Sequence, residues 1–176
     1  MELTREILLD GERRLMLESV ADYRKSVLDD AAREMDESPA AGKVKEAWKK
    51  AGSLGLTSAL ISEEAGGQGM DAYSFCLVVS ELARASAGFG ALLLSHNLAL
   101  WALEKAGLVK ATEPVVHGNG WAALAWPFRE SDGAGEFAFV PGGAAAGLLV
   151  MVSGSGDLFT VTSGTDAVEV EEISYP

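Results

Sequence analysis

The residues of this chain that could do chemistry are few, and the most conspicuous sit beside glycines. Glu63 and Glu64 are adjacent carboxylates, the raw material of general acid–base catalysis, and they run into Gly66-Gly67-Gln68-Gly69. Glycine-rich turns can cradle phosphates, because backbone N–H groups converge where no Cβ intrudes. The spacing argues otherwise. A P-loop needs a Lys after its glycines and a strand before them, whereas Met70 and Asp71 follow here on helix-like flanks. The dinucleotide fingerprint G-x-G-x-x-G is not met either. The turn is expected to be architectural, its glycines permitting positive φ between two helices. The paired glutamates are expected to be solvated.

The remaining candidates are isolated. His96 lies inside an apolar helix-like run and His117 in a separate loop, with no Cys or carboxylate cluster at metal-ligand spacing, so no metal site is expected. Ser95 beside His96 is not a nucleophile–base pair by adjacency, since helix neighbours point about 100° apart. No G-x-S-x-G motif appears. His96 reads as a satisfied core residue, and Cys76, in SFCLVV, as a buried inert thiol. No catalytic residue is assigned. The stretch Pro127-Phe-Arg-Glu-Ser-Asp reads as a loop between two β-runs, and its N–H groups, Arg129 and Ser131 could together hold an anion.

These residues need elements to position them. Leu17, Val20, Val27, Ala31 and Met35 recur on one helical face. Ser38-Pro39 caps and starts a second helix carrying Val44, Ala47, Trp48 and Ala51 inward and ending near Gly52 or Gly55. A third helix begins at Asp71, with Phe75, Val78, Val79 and Leu82 facing the core. A fourth, over 88–105, is apolar almost all round and stops at Gly107. From Trp121 the texture changes to short runs, WAALAW, EFAFV, GLLVMVS, DLFTVT and AVEVEEI, broken by Gly, Ser, Asp and Pro. Helices followed by strands define an α+β class, with a helical domain over 1–107 and a partial, small antiparallel β-domain over 108–176. Such a small sheet needs its edges covered, so a partner or self-association is expected.

The totals narrow the setting. The chain has 176 residues and a net charge of −12, which disfavours nucleic acid and anionic membranes as partners. One cysteine forms no intrachain disulfide, which suits a reducing compartment. With no signal-like N-terminus and no membrane-length apolar run, a cytoplasmic location is expected.

Read together, the segments resemble the amino-terminal half of the acyl-CoA dehydrogenase family. That family typically shows W-x-x-L-x-x-x-G-L and then I-P-E-E-Y-G-G-x-G. Here AWKKAGSLGLTSALISEEAGGQG supplies Trp48, Gly55-Leu56, Ile61, Glu63-Glu64 and Gly66-Gly67-x-Gly69. The family's E-L-A-R follows as Glu81-Leu82-Ala83-Arg84. Its flavin-facing A-L-T-E-P-G-A-G-S-D is matched by ALAWPFRESD, with Ala123, Leu124, Pro127, Ser131 and Asp132 in register. The resemblance implies a 2,3-dehydrogenation of an acyl-CoA thioester with FAD as cofactor. It places Leu124, Ala125, Ser131 and Phe139 toward the flavin, and Leu94 and Leu98 on the acyl wall.

Departures from the pattern bear on that cofactor. Ala125 stands for a flavin-contacting threonine, Trp126 for a glutamate, Phe139 for a flavin-stacking tryptophan and Pro141 for a second threonine. Family members run roughly twice this length. Their additional carboxy-terminal bundle supplies the catalytic glutamate. The resemblance therefore implies a part or subunit of a flavin-dependent dehydrogenase, incomplete on its own and completed by another polypeptide. An FAD-free structural partner of a heteromeric dehydrogenase, or a truncated fragment, stays open beside it.

Overall fold

The structure is a computed structural model, and it describes residues 10–32, 42–131, 134–137, 140–152 and 157–162. Helix α1 spans Gly11–Tyr23, with Asp10 as its N-cap accepting from the Arg13 N–H. It runs on into a π-helical turn, Arg24–Leu28. One extra residue in that turn shifts the inward face. Val20 and Ala31 are buried as expected, but Leu28 is fully buried where the simple period had placed Val27, which is only half-buried. Met35 and the Ser38-Pro39 start lie outside the described residues.

Helix α2, Gly42–Ser53, buries Val44, Ala47, Trp48 and Ala51, the four positions its period predicts. Helix α3, Ala72–Ala83, is capped by Asp71, whose carboxylate accepts from the Ser74 N–H. It buries Phe75, Val78 and Leu82 and leaves Val79 half-buried. Cys76 is exposed, contrary to the buried thiol expected, because it falls on the outer face of this helix. Helix α4, Ala87–Lys105, starts at Ser86 and ends in a Schellman motif. The Gly107 N–H donates to Glu104 O at 2.9 Å and the Leu108 N–H to Leu103 O at 2.8 Å, with Gly107 at φ 75°.

The E-L-A-R stretch is structural. Glu81 is buried and accepts from Arg24 Nε at 3.0 Å and from Arg84 Nη1, tying α3 to the π-helical turn. Burial pushes this carboxyl up, but the hydrogen bonds from Arg84 and Arg24 outweigh it and hold the group below its usual pKa.

Strands β1 (Ala122–Ala125), β4 (Leu148–Val152) and β5 (Leu158–Thr162) form one sheet in the order β1-β4-β5. Strands β2 (Pro127–Ser131) and β3 (Ala134–Phe137) form a separate antiparallel hairpin. The α+β class holds, with one difference inside it. The three-stranded sheet is mixed, because β1 and β4 run parallel while β4 and β5 are antiparallel. The excursion through the hairpin and a 3-10 turn at Gly143–Ala145 gives the chain room to cross over. The segment expected as a loop after WAALAW is strand β2, with a bulge between Pro127 and Arg129. The AVEVEEI run lies outside the described residues.

Strand β1 is buried on both faces. Ala123 packs into a cluster with α1, α2, α3 and the start of α4, while Ala122 joins Ile61, Ala99, Leu100, Leu103, Val115 and Val116 on the other side. Its alanines let both cores approach closely. Trp48 anchors the first cluster, edge-on to Phe89, His96 and Trp121, and its Nε1 donates to Gly120 O at 2.7 Å.

Candidate functional site

Two buried polar side chains meet strand β1 at its seam with α4. Ser95, His96 and Asn97 are consecutive and all buried, in a helix whose middle is otherwise Leu and Ala. Ser95 Oγ accepts from the Leu124 N–H at 2.9 Å, and His96 Nδ1 accepts from the Ala122 N–H at 2.8 Å. Asn97 points elsewhere: Oδ1 accepts from the Leu60 N–H, and Nδ2 donates to Leu56 O and Leu93 O. The helix thus offers β1 side-chain acceptors where a neighbouring strand would offer carbonyls. A buried N–H left without a partner costs about 1–3 kcal/mol, so the two acceptors are needed there.

His96 is strongly perturbed. Its Nδ1 acceptor role fixes the tautomer with the proton on Nε2, which makes no hydrogen bond, although the Thr57 backbone favours the charged ring. Burial pushes the imidazole down to a pKa of about 4, so it is neutral at pH 7. It is a core residue, as the sequence suggested, but not the fully satisfied one expected, because its Nε2 makes no hydrogen bond. Among the described residues no group of three His, Cys, Asp or Glu could bind a metal ion. What sequence reasoning missed was the partner. The signal available was three adjacent polar residues in an apolar helix.

The glycine turn has no N–H groups to spare for a phosphate. Those of Gly66, Gly67, Gln68, Gly69 and Met70 donate to the carbonyls of Glu63, Ser62, Ser58, Ile61 and Ala59. Gly66 and Gly69 adopt positive φ, whereas Gly67 is needed for space, since a Cβ there would lie 2.3 Å from Ile61 O. Glu63 and Glu64 are exposed beside it.

Of the residues assigned to flavin, Leu124 and Ala125 lie in β1 and Ser131 in β2. Leu124 has its N–H taken by Ser95. Successive strand residues direct their backbone groups to opposite edges, so Ala123 and Ala125 turn theirs toward β4. The Ala125 side chain is 0% exposed and carries no hydroxyl. Ser131 lies in β2 opposite Ala134, its backbone drawn into the hairpin rather than an open anion loop. Phe139 lies outside the described residues. Trp126, in place of the usual glutamate, is 66% exposed. The described part of β1 therefore does not fit a flavin held by its N–H groups.

Leu94 and Leu98 do share a face. They lie one helical turn apart on the outer side of α4, Leu94 38% exposed and Leu98 half-buried, with Trp101 continuing the stripe at 44% exposed. Lys105 ends it, its Nζ 5.9 Å from the Trp101 ring centroid.

Comparison with known proteins agrees with this architecture. Residues 10–112 match the family model of the acyl-CoA dehydrogenase N-terminal domain. The chain belongs to the acyl-CoA dehydrogenase family. No curated protein matches it. Among solved structures, glutaryl-CoA dehydrogenase from Mycobacterium smegmatis superposes with a TM-score of 0.80 at 17% identity, covering 96% of this chain and 50% of that one. An acyl-CoA dehydrogenase complexed with FAD from Bacillus anthracis gives 0.79 at 20% identity, covering 96% and 33%. Butyryl-CoA dehydrogenase from Megasphaera elsdenii gives 0.66 at 23% identity, covering 90% and 50%. The chain thus spans half or less of the length of these structures. Among the described residues no helix is long and apolar enough to cross a membrane.

Proposed function

We propose that this chain is a part or subunit of a flavin-dependent acyl-CoA dehydrogenase, one that takes an acyl-CoA thioester to its 2,3-enoyl product, and that it is incomplete on its own. The observation that carries this is the match over residues 10–112 on a fold whose α4 presents an apolar outer stripe. In this reading Leu94 and Leu98 form part of the acyl wall, the boundary near residue 107 separates the helical domain from the β-domain, and the assembly is cytoplasmic. A second polypeptide or further chain supplies the base and completes the sheet.

A second reading is favoured by the geometry of β1. With the Leu124 N–H held by Ser95 and a buried methyl at Ala125, the chain suits an FAD-free structural partner of a heteromeric dehydrogenase. Native mass spectrometry of the chain, purified from its own host, separates the two. A complex with one FAD for each copy of this chain supports the first. A complex in which FAD counts only with the other polypeptide supports the second. A lone, flavin-free chain overturns both.

A further inference from the structure

The edge of β1 that faces α4 is sealed. Ser95 Oγ sits 2.9 Å from Leu124 N and His96 Nδ1 sits 2.8 Å from Ala122 N. We infer that Ser95 and His96 act as a latch that withholds β1 from flavin, so that the flavin of this chain's assembly is held by other polypeptide. The inference rests on the family assignment and deepens the FAD-free reading.

Three features make the latch firm. Ala123 and Ala125 face the other edge, in the ladder with β4, and both are fully buried, so neither edge of the strand offers a free donor over 122–125. The two acceptors have nowhere to go: His96 is fully buried and wedged against the Trp48 ring, centroids 4.9 Å apart. The helix cannot turn them away, because Asn97 pins it through Leu56 O at 3.0 Å and the Leu60 N–H at 3.2 Å. Releasing Leu124 to a ring would strand a buried serine hydroxyl and disturb three neighbouring contacts together. Ala125 is fully buried, so a hydroxyl there would face protein rather than cofactor.

Amide NMR on the full 15N-labelled chain tests this, with FAD as the probe and hydrogen exchange as a second readout. Added FAD is expected to leave the Leu124 and Ala125 resonances unshifted. Ser95→Ala is expected to speed exchange of the Leu124 amide about tenfold while sparing Ala122, and Ser95→Thr to restore protection, as loss of one hydrogen bond requires. An FAD-induced shift at Leu124 or Ala125 overturns the latch, as does equal Leu124 exchange in the wild-type chain and Ser95→Ala. The dehydrogenase reading fails by a different result, the absence of an FAD-bearing partner in the native complex, and that result leaves these amides unchanged.

Discussion

Helix α4 and strand β1 lie against each other, and the residues between them are buried, yet the two elements satisfy their backbones differently. The helix satisfies its own backbone and carries its own stops, Ser86 accepting from the Phe89 N–H at one end and Gly107 turning the chain at the other. The strand satisfies nothing alone. One edge is completed by β4 and the other by side chains of α4. The difference teaches where the molecule is robust. The helical region is specified residue by residue, whereas β1 holds its place only while its neighbours hold theirs.

The largest effect is expected where one side chain serves both regions. Trp48 is buried in α2, touches Phe89 and His96 of α4 and Trp121 before β1, and donates to Gly120 O. Trp48→Ala should cost about 3–5 kcal/mol. Urea unfolding followed by both far-UV and tryptophan signals should show one early, coincident transition. A helical signal that persists after the sheet signal is lost would show the dependence of β1 to be greater still. Full stability in the variant would break the comparison.

How much of this was legible beforehand follows the same division. The inward face of α2, the Asp71 cap and the Gly107 stop could be read, because each is written within a few residues. Leu28 could not, since a π-helical turn adds a residue without a local sequence mark. Strand β2 was read as a loop because Pro127 argues against a strand; the structure admits it at the strand's first position with a bulge beside it. The parallel β1–β4 pair joins distant segments, and short β-runs in sequence look like hairpins. At the candidate site, the burial of His96 was readable but its partner was not, because Ala122 lies 26 residues away.

The seam has a chemical signature of its own, and acid should open it. His96 is neutral in the fold at a pKa of about 4, against 6.5 when free, because burial disfavours its charge. Between those values the unfolded chain takes up a proton that the folded chain refuses, so stability falls as pH drops through the window. The loss should approach roughly 3 kcal/mol by the lower end. Asp71 acts in a lower window. Ser74 and then Arg13 hold its carboxyl at about 2 against 3.8 when free, so its contribution fades between those two values, below the His96 window. His96→Gln keeps a side-chain acceptor and removes the titration. Its urea midpoint should decline clearly less between about pH 6.5 and 4 than the wild-type midpoint does. A wild-type midpoint that declines no more than the variant's would mean that His96 is not held neutral by the seam.

The smallest effects belong to the glycine turn, where two neighbours test two different constraints within the helical region. A Cβ on Gly67 would lie 2.3 Å from the backbone O of Ile61, and Ile61 is fully buried, so the clash falls on atoms that cannot swing away. Gly67→Ala should cost about 1–3 kcal/mol by overpacking. Gly69 has room, its nearest would-be neighbour being Glu63 Cγ at 3.5 Å, and the constraint there is only φ 58°. Gly69→Ala should therefore cost about 1 kcal/mol, and Gly69→Asn should recover part of it, because Asn tolerates the left-handed conformation. The Gly69 changes do not press on the neighbours of β1, so exchange of the Leu124 amide should keep its wild-type rate relative to global unfolding there, whereas Gly67→Ala presses on Ile61, which shares a cluster with Ala122. If Gly69→Asn is no better than Gly69→Ala in urea, space rather than backbone conformation governs this turn. If either Gly69 variant loosens Leu124 selectively, β1 depends on the whole helical region and not on α4 alone.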